Sequence, residues 1–377
     1  MLFAYLAIAS NLVFIPGLFD GHDLPKKVFV LALGLAALIR VIHLPKTKSP
    51  FIYCVMMAYL TFSIFNLFFV VNYSLFLERL SLDIAFIALY MALSTTKFEE
   101  KDIGLFHALL VLVAVAACLS QSYWPEEKGV MGNYGFTAGL AALGALSALS
   151  LSSSFWFAIL EIVVAAFLIL SVFQSRAALG VLILVMILRM IIFETKRNLS
   201  HIIALGTLII LFFSPLIISQ FDRPFNRPLN RALQWRNVLA MIADNPLGIG
   251  AGQFQIQYPK YANARARDPE MLEIIETVVP PNISYRGQHE AAHNDLLEIM
   301  AERGVVGFVL FGLLLFLILS SPKSLTGAQL GLYIELLFLL GWGIFWFPLA
   351  HPTFGATFST IAGLLRSVNE DRARALS

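Results

Sequence analysis

The sequence predicts an all-α polytopic membrane protein, with about twelve spanning helices and one long helical outer loop. Three observations carry that expectation. Hydrophobic residues fill 59% of the 377 positions and charged residues 13%, and the mean hydropathy is +0.79, more apolar than a water-facing surface tolerates. Apolar runs of roughly 17 to 22 residues, long enough to cross about 30 Å of hydrocarbon as a helix, recur along nearly the whole chain. Only residues 219–303 interrupt that rhythm for long.

In chain order the expected spans are Leu2 to Phe19, Val28 to Leu44, Phe51 to Val71, Leu80 to Leu93, Ile103 to Leu119, Tyr134 to Leu151, Phe155 to Phe173, Ala177 to Phe193 and Ile202 to Ile218. Gly304 to Ser320, Gln329 to Phe347 and Thr353 to Leu365 complete the set, the fourth and last being short. Three regions follow: nine spans in residues 1–218, an outer loop in residues 219–303, and three spans with a short inner tail in residues 304–377. The first run has no basic segment before it and no small-residue cleavage site after it, so it is expected to be a retained helix rather than a signal peptide.

With the N-terminus inside, the inner connections carry Lys46, Lys48, Lys97, Lys101, Lys196, Arg197, Lys323, Arg366, Arg372 and Arg374. The short outer connections carry fewer cations, among them Lys26, Lys27, Arg79, Lys128 and Arg176. That asymmetry follows the positive-inside rule and puts residues 219–303 outside. Cys54 and Cys118 fall inside apolar runs and define no redox compartment. The net charge of +2 identifies no partner; membrane lipids are expected around the chain, and nucleic acid is not.

The outer loop opens with a helix-like stretch. Pro228 suits a first turn, and three- and four-residue spacing puts Arg231 beside Trp235, with Arg236 following. Asp244-Asn245-Pro246 should stop that helix, and Gly248, Gly250 and Gly252 permit a tight turn after it. The string GIGAG lacks both a preceding strand and the final helix-packing glycine of a dinucleotide loop, so no nucleotide site is expected there. Guanidinium matches phosphate in fork geometry and keeps its charge, which suits Arg231 and Arg236 to an anionic group. Arg176, at a span boundary, either snorkels to the interface or faces the bundle interior to meet an anionic substrate. Lys27 and Arg286 raise the same choice between anchor or solvated charge and substrate contact.

The stretch QHEAAHNDLLEIMAERGVVGF, Gln288 to Phe308, supports two readings. His289, Glu290 and His293 spell H-E-x-x-H, in which two histidines on one helix face bind zinc and the glutamate activates water. The context is unfavourable. Gly287 upstream and Asn294-Asp295 downstream start the stable helix at a cap on Asn294, leaving both histidines in the lead-in. The second reading takes His293, Asn294, nine residues, then Gly304 and Gly307. Gly304 can end the helix from Asn294 to Arg303 before the next span.

In this second reading the chain resembles the O-antigen ligase and O-antigen polymerase superfamily of bacterial membrane glycosyltransferases, whose hallmark is H-[NSQ]-x9-G-x-x-G. Ser175-Arg176, the Arg231 and Trp235 pair, and Asn245 to Phe254 extend the resemblance. Leu296 stands where many members have an aromatic residue, and Arg303 where many have a hydrophobic one; both departures bear on acceptor preference. The resemblance implies a GT-C-like membrane fold with a periplasmic loop, in the bacterial inner membrane. It implies transfer of a glycan from an undecaprenyl-pyrophosphate carrier to a hydroxyl of a glycan or lipid A-core acceptor.

It also implies His293 as general base, Arg176 and Arg231 supporting the leaving pyrophosphate, and substrate contacts from Arg236, Trp235, Asn294, Lys27 and Arg286. Inversion at the anomeric carbon, no metal and no cofactor follow. A histidine titrates near working pH, and a nearby helix N-terminus favours its neutral, basic form. Ligation to lipid A core, repeat-unit polymerisation and protein glycosylation share this donor and base, so the acceptor stays open. The competing classes are an intramembrane zinc peptidase using His289 and His293, and a transporter, for which no internal repeat is found.

Overall fold

The architecture was obtained as a computed structural model, which describes residues 1–15, 23–43, 50–123, 131, 133–151, 175–193, 226–265, 292–320, 325 and 327–375. Among these residues the regular structure is helical. The elements are α1 (Leu2–Ala9), α2 (Asp23–Ile42), α3 (Pro50–Phe65), α4 (Tyr73–Ser94), α5 (Glu100–Tyr123), α6 (Tyr134–Leu151), α7 (Arg176–Phe193), α8 (Asn226–Asp244), α9 (Phe254–Arg265), α10 (Asp295–Leu319), α11 (Gly327–Gly343) and α12 (Pro352–Ala375). The stretches Phe51–Phe69, Glu100–Gln121, Tyr134–Leu151 and Asp295–Leu319 are each long and apolar enough to cross a membrane. The chain is a multi-pass membrane protein. The spans expected at Phe155 to Phe173 and Ile202 to Ile218 lie outside the described residues.

Two helices are longer than their apolar runs. Hydropathy alone outlines Leu80 to Leu93 and Thr353 to Leu365, whereas the helices are Tyr73–Ser94 and Pro352–Ala375. The charges that end the apolar run do not end α4, because each finds a partner. Glu78 meets Lys27 of α2 at 2.8 Å, and Arg79 reaches Asp83 one turn on, at 3.7 Å. The side chain of Asn72 caps α4 by accepting from the N–H groups of Ser74 and Leu75.

Helices α2, α4 and α12 pack against one another, as do α5, α6 and α11, while α10 lies along α3. Small residues set the spacing of the second group. In α6, almost every residue from Phe136 to Ser147 is buried, and a Cβ on Gly139 would fall 2.0 Å from the Trp342 ring of α11. Without a hydrophobic drive between helices in lipid, such close approach supplies packing enthalpy instead. A separate apolar cluster joins α8, α9 and the start of α10, through Val238, Met241, Phe254, Tyr258, Ala292 and Ala301.

Helix α8 stops at Asp244, as Pro246 requires. Helix α10 is broken at Gly304, whose φ of 66° and ψ of −176° divide it into a segment of residues 295–303 and the apolar remainder. The chain after Pro246 lies directly on this break. Ile249 and Gly250 donate their N–H groups to the carbonyls of Ala301 and Glu302, both at 3.0 Å, and Val305 donates to Pro246 at 2.9 Å. The backbones approach so closely that a Cβ on Gly304 would lie 2.3 Å from the Leu247 carbonyl carbon, and one on Gly248 2.5 Å from the Glu302 oxygen. Gln253 extends the clasp to the start of α4 by accepting from Val71 and Asn72 and donating to the Asn72 carbonyl.

Gly304→Ala and Gly248→Ala are each expected to cost on the order of 3 kcal/mol, from positive φ combined with backbone overlap. Gly312→Ala, where an added Cβ meets nothing within 4 Å, serves as the control and should be neutral. Thermal unfolding of the three variants in detergent measures the difference; equal midpoints would contradict the clasp.

Candidate functional site

The segment 292–294 enters α10 through a set of short, local bonds. Asn294 is the N-cap, its side-chain oxygen accepting from the Leu297 N–H at 3.0 Å. Glu298, one turn into the helix, reaches back to accept from the Ala292 N–H at 2.9 Å, and the indole N–H of Trp235 on α8 donates to the Ala292 carbonyl at 3.2 Å. Both polar groups of the Ala292 backbone are therefore held from opposite sides. Between these fixed points His293 adopts a φ of 51°, the one positive φ among described non-glycine residues. Side chains take that region reluctantly, and such strain concentrates where a side chain must be aimed.

The zinc-peptidase geometry needs His293 inside a helix that it shares with His289. His293 instead precedes the cap of α10; His289 lies outside the described residues.

The imidazole of His293 rests against the connection between α11 and α12. Its ring centre is 4.9 Å from Trp346 and 5.2 Å from Phe347. Arg231 of α8 reaches the same place, donating to the Phe345 carbonyl at 2.7 Å with its guanidinium carbon 5.5 Å from the Trp346 ring centre. The spacing that paired Arg231 with Trp235 thus brings one residue to the Trp346 ring that His293 rests on and the other to the carbonyl just before His293. The indole N–H of Trp346 is buried and has no acceptor among the described residues, so a donor stands ready beside the histidine. Asp295 secures this connection by accepting from the Leu349 N–H at 3.0 Å.

Arg236 is exposed on α8. Arg176 opens α7, where Ser175 caps the helix by accepting from the Ala178 N–H at 3.4 Å; its side chain and the whole of Arg286 fall outside the described set. Lys27 pairs with Glu78 and lines a cavity of about 380 Å³ bounded by α2, α4, α10, the first residues of α6 and α9, and the Phe347 to Pro352 stretch. His293 is not on the cavity wall. Phe347 lies between them, touching both.

Sequence patterns missed the connection of Phe345, Trp346 and Phe347, which was absorbed into an expected span. The run WGIFWFP, aromatic and ending at Pro348, was the available signal. They also missed the ion cluster beneath the cavity. Arg303, buried to 1%, pairs with Asp83 of α4 and with Glu302 at 3.4 Å, over the ring of Tyr59. A residue singled out as bearing on acceptor preference is held inside the bundle, tying α10 to α4.

Asp83→Ala should leave the buried Arg303 charge with only the more distant Glu302 and cost about 3–5 kcal/mol. The double replacement Asp83→Leu with Arg303→Met should recover most of that loss. Denaturant unfolding of both proteins tests the pairing, and an unimproved double variant would rule it out.

A model of a known protein family, described as O-antigen ligase, matches residues 138–312. The matched stretch contains Ser175-Arg176, the Arg231 and Trp235 pair, the glycine turn from Asn245 to Phe254, and His293 through Gly307. A search of curated proteins finds no match.

Proposed function

We propose, from the match of residues 138–312 to a family model described as O-antigen ligase, that this membrane protein is a glycosyltransferase acting on a glycan carried by undecaprenyl pyrophosphate. Residues 219–303 stand at the periplasmic face of the bacterial inner membrane, between the spans of residues 1–218 and 304–377. The acceptor is a hydroxyl of a second glycan or of lipid A core. The observation that carries this reading is the shared Trp346 surface: a cation from α8 and the imidazole at the entry to α10 meet on one ring.

The chemistry follows from that pairing. His293, neutral beside a helix N-terminus, takes the acceptor's hydroxyl proton as its oxygen attacks the anomeric carbon. The bond from that carbon to the pyrophosphate oxygen breaks, and the electron pair leaves on the lipid pyrophosphate. Attack from the side opposite the leaving group inverts the anomeric centre. Arg231, with Arg236 and Arg176, stabilises the charge that develops on the leaving oxygens, the task a divalent cation performs in other transferases. Trp235 and Glu298 act through Ala292, holding the histidine at its unusual φ, and Asn294 acts as the cap.

His293→Ala should lower the transfer rate by roughly 10²- to 10⁴-fold, the span that general base catalysis contributes, while His289→Ala leaves most of it. Purified protein, lipid-linked repeat units and an acceptor provide the assay. Equal loss in two folded variants would refute the assignment of the base.

Arg231→Lys keeps the charge but loses the fork, so its turnover should fall, and a chelator should leave the wild-type rate unchanged. A wild-type rate lost to chelation and restored by one divalent metal would count against the arginine role. Incubation with lipid-linked units alone, then with the acceptor added, separates polymerisation from ligation by whether long chains form without acceptor.

A further inference from the structure

The cavity beside Phe347 has no part in the chemistry above, yet its wall is chemically distinctive. Four acidic side chains face it, from Asp23, Glu78, Glu298 and Glu302, against the permanent cations of Lys27 and Arg79. Both cations are engaged: Lys27 with Glu78 at 2.8 Å, Arg79 with Asp83 at 3.7 Å and with the Ala350 carbonyl at 2.9 Å. Burial pushes the Asp23 carboxyl up, but the His351 ring 3.5 Å away, with Lys26 and Lys27, outweighs that and holds it at about 2. It is a carboxylate at working pH.

A pyrophosphate entering such a space would meet the ionised Asp23 and the other acid oxygens of the wall, and find both cations already taken. A sugar meets the opposite situation. Its hydroxyls are donors for carboxylate oxygens, and its C–H faces suit the Phe136 and Phe347 rings on the same wall. The volume of about 380 Å³ lies within the usual range for small-molecule pockets, about 300–1,000 Å³. The cavity ends one aromatic ring from His293.

We infer that this cavity is the acceptor-side sugar subsite, holding the units next to the reacting one, and that it takes neutral or amino sugars and rejects acidic ones. The inference rests on the transferase reading above and specifies its acceptor. Selectivity arises by repulsion as much as by attraction, since a uronate or phosphate would be brought against the acidic wall.

The test uses full-length protein in lipid nanodiscs, probed without donor on an array of neutral, amino and acidic oligosaccharides. Neutral or amino chains should be retained and uronate- or phosphate-bearing ones not. Gln255→Trp, which places an indole at the cavity wall from an exposed position, should weaken binding at least tenfold with its thermal midpoint unchanged. Glu78→Lys should gain acidic chains at least tenfold.

Preferential retention of acidic chains, no glycan retained, or binding indifferent to both cavity variants would overturn the proposal. Glycan binding without any transfer from a lipid pyrophosphate would instead sink the transferase reading and leave the subsite standing.

Discussion

Everything near His293 depends on three backbone hydrogen bonds between residues 246–250 and 301–305. Breaking a helix inside a membrane protein strips its carbonyls of their intrahelical partners, and in lipid no water replaces them. The carbonyls of Ala301 and Glu302 are rescued by Ile249 and Gly250, and the Val305 N–H by Pro246. The glycines at 248 and 304 are there because no side chain fits between backbones this close. With that clasp in place, the 295–303 segment becomes a short, rigid piece that brings the Asn294 cap, and with it His293, against the Trp346 loop.

The ion cluster below plays a complementary part. Arg79, Asp83, Glu302 and Arg303 draw α4 and α10 together beneath the cavity. Buried pairs of this kind contribute little net stability compared with apolar packing, but they penalise any arrangement that separates them. Glu302 serves both systems, since its other oxygen accepts from the Phe254 N–H at the start of α9. Glu302 thereby ties the start of α9 to the ion cluster that joins α4 and α10.

Much of this was legible before any coordinates. The cap at Asn294, the stop before Pro246 and the break at Gly304 are local effects of single residue types, and local effects read well from sequence. Arg231 and Trp235 were paired by helical spacing, and both approach His293, though Trp235 does so as a support for Ala292. What could not be read was long-range. The aromatic run ending at Pro348 marks an unusual segment but not its partner, so its place against His293, 53 positions before Trp346, could not be read, and hydropathy treated Phe345 to Phe347 as spanning residues. Glu78 and Arg79 shortened the apparent span of α4 because their partners, Lys27 on another helix and Asp83 one turn on, cannot be assigned from hydropathy. Arg303 looked like a deviation in a motif because Asp83, its reason, sits 220 residues away.

The break at Gly304 also separates two mechanical duties. Membrane helices answer changes in bilayer thickness by tilting, bending or distorting the surrounding lipid. Below Gly304, residues 305–319 of α10 are apolar and lie along α3, so this half responds to the bilayer together with its neighbour. Above it, residues 295–303 are anchored to other protein segments rather than to lipid, so the tilt stops at the glycine. A change in the thickness of the surrounding lipid would alter the lean of the spanning half while the histidine kept its aim.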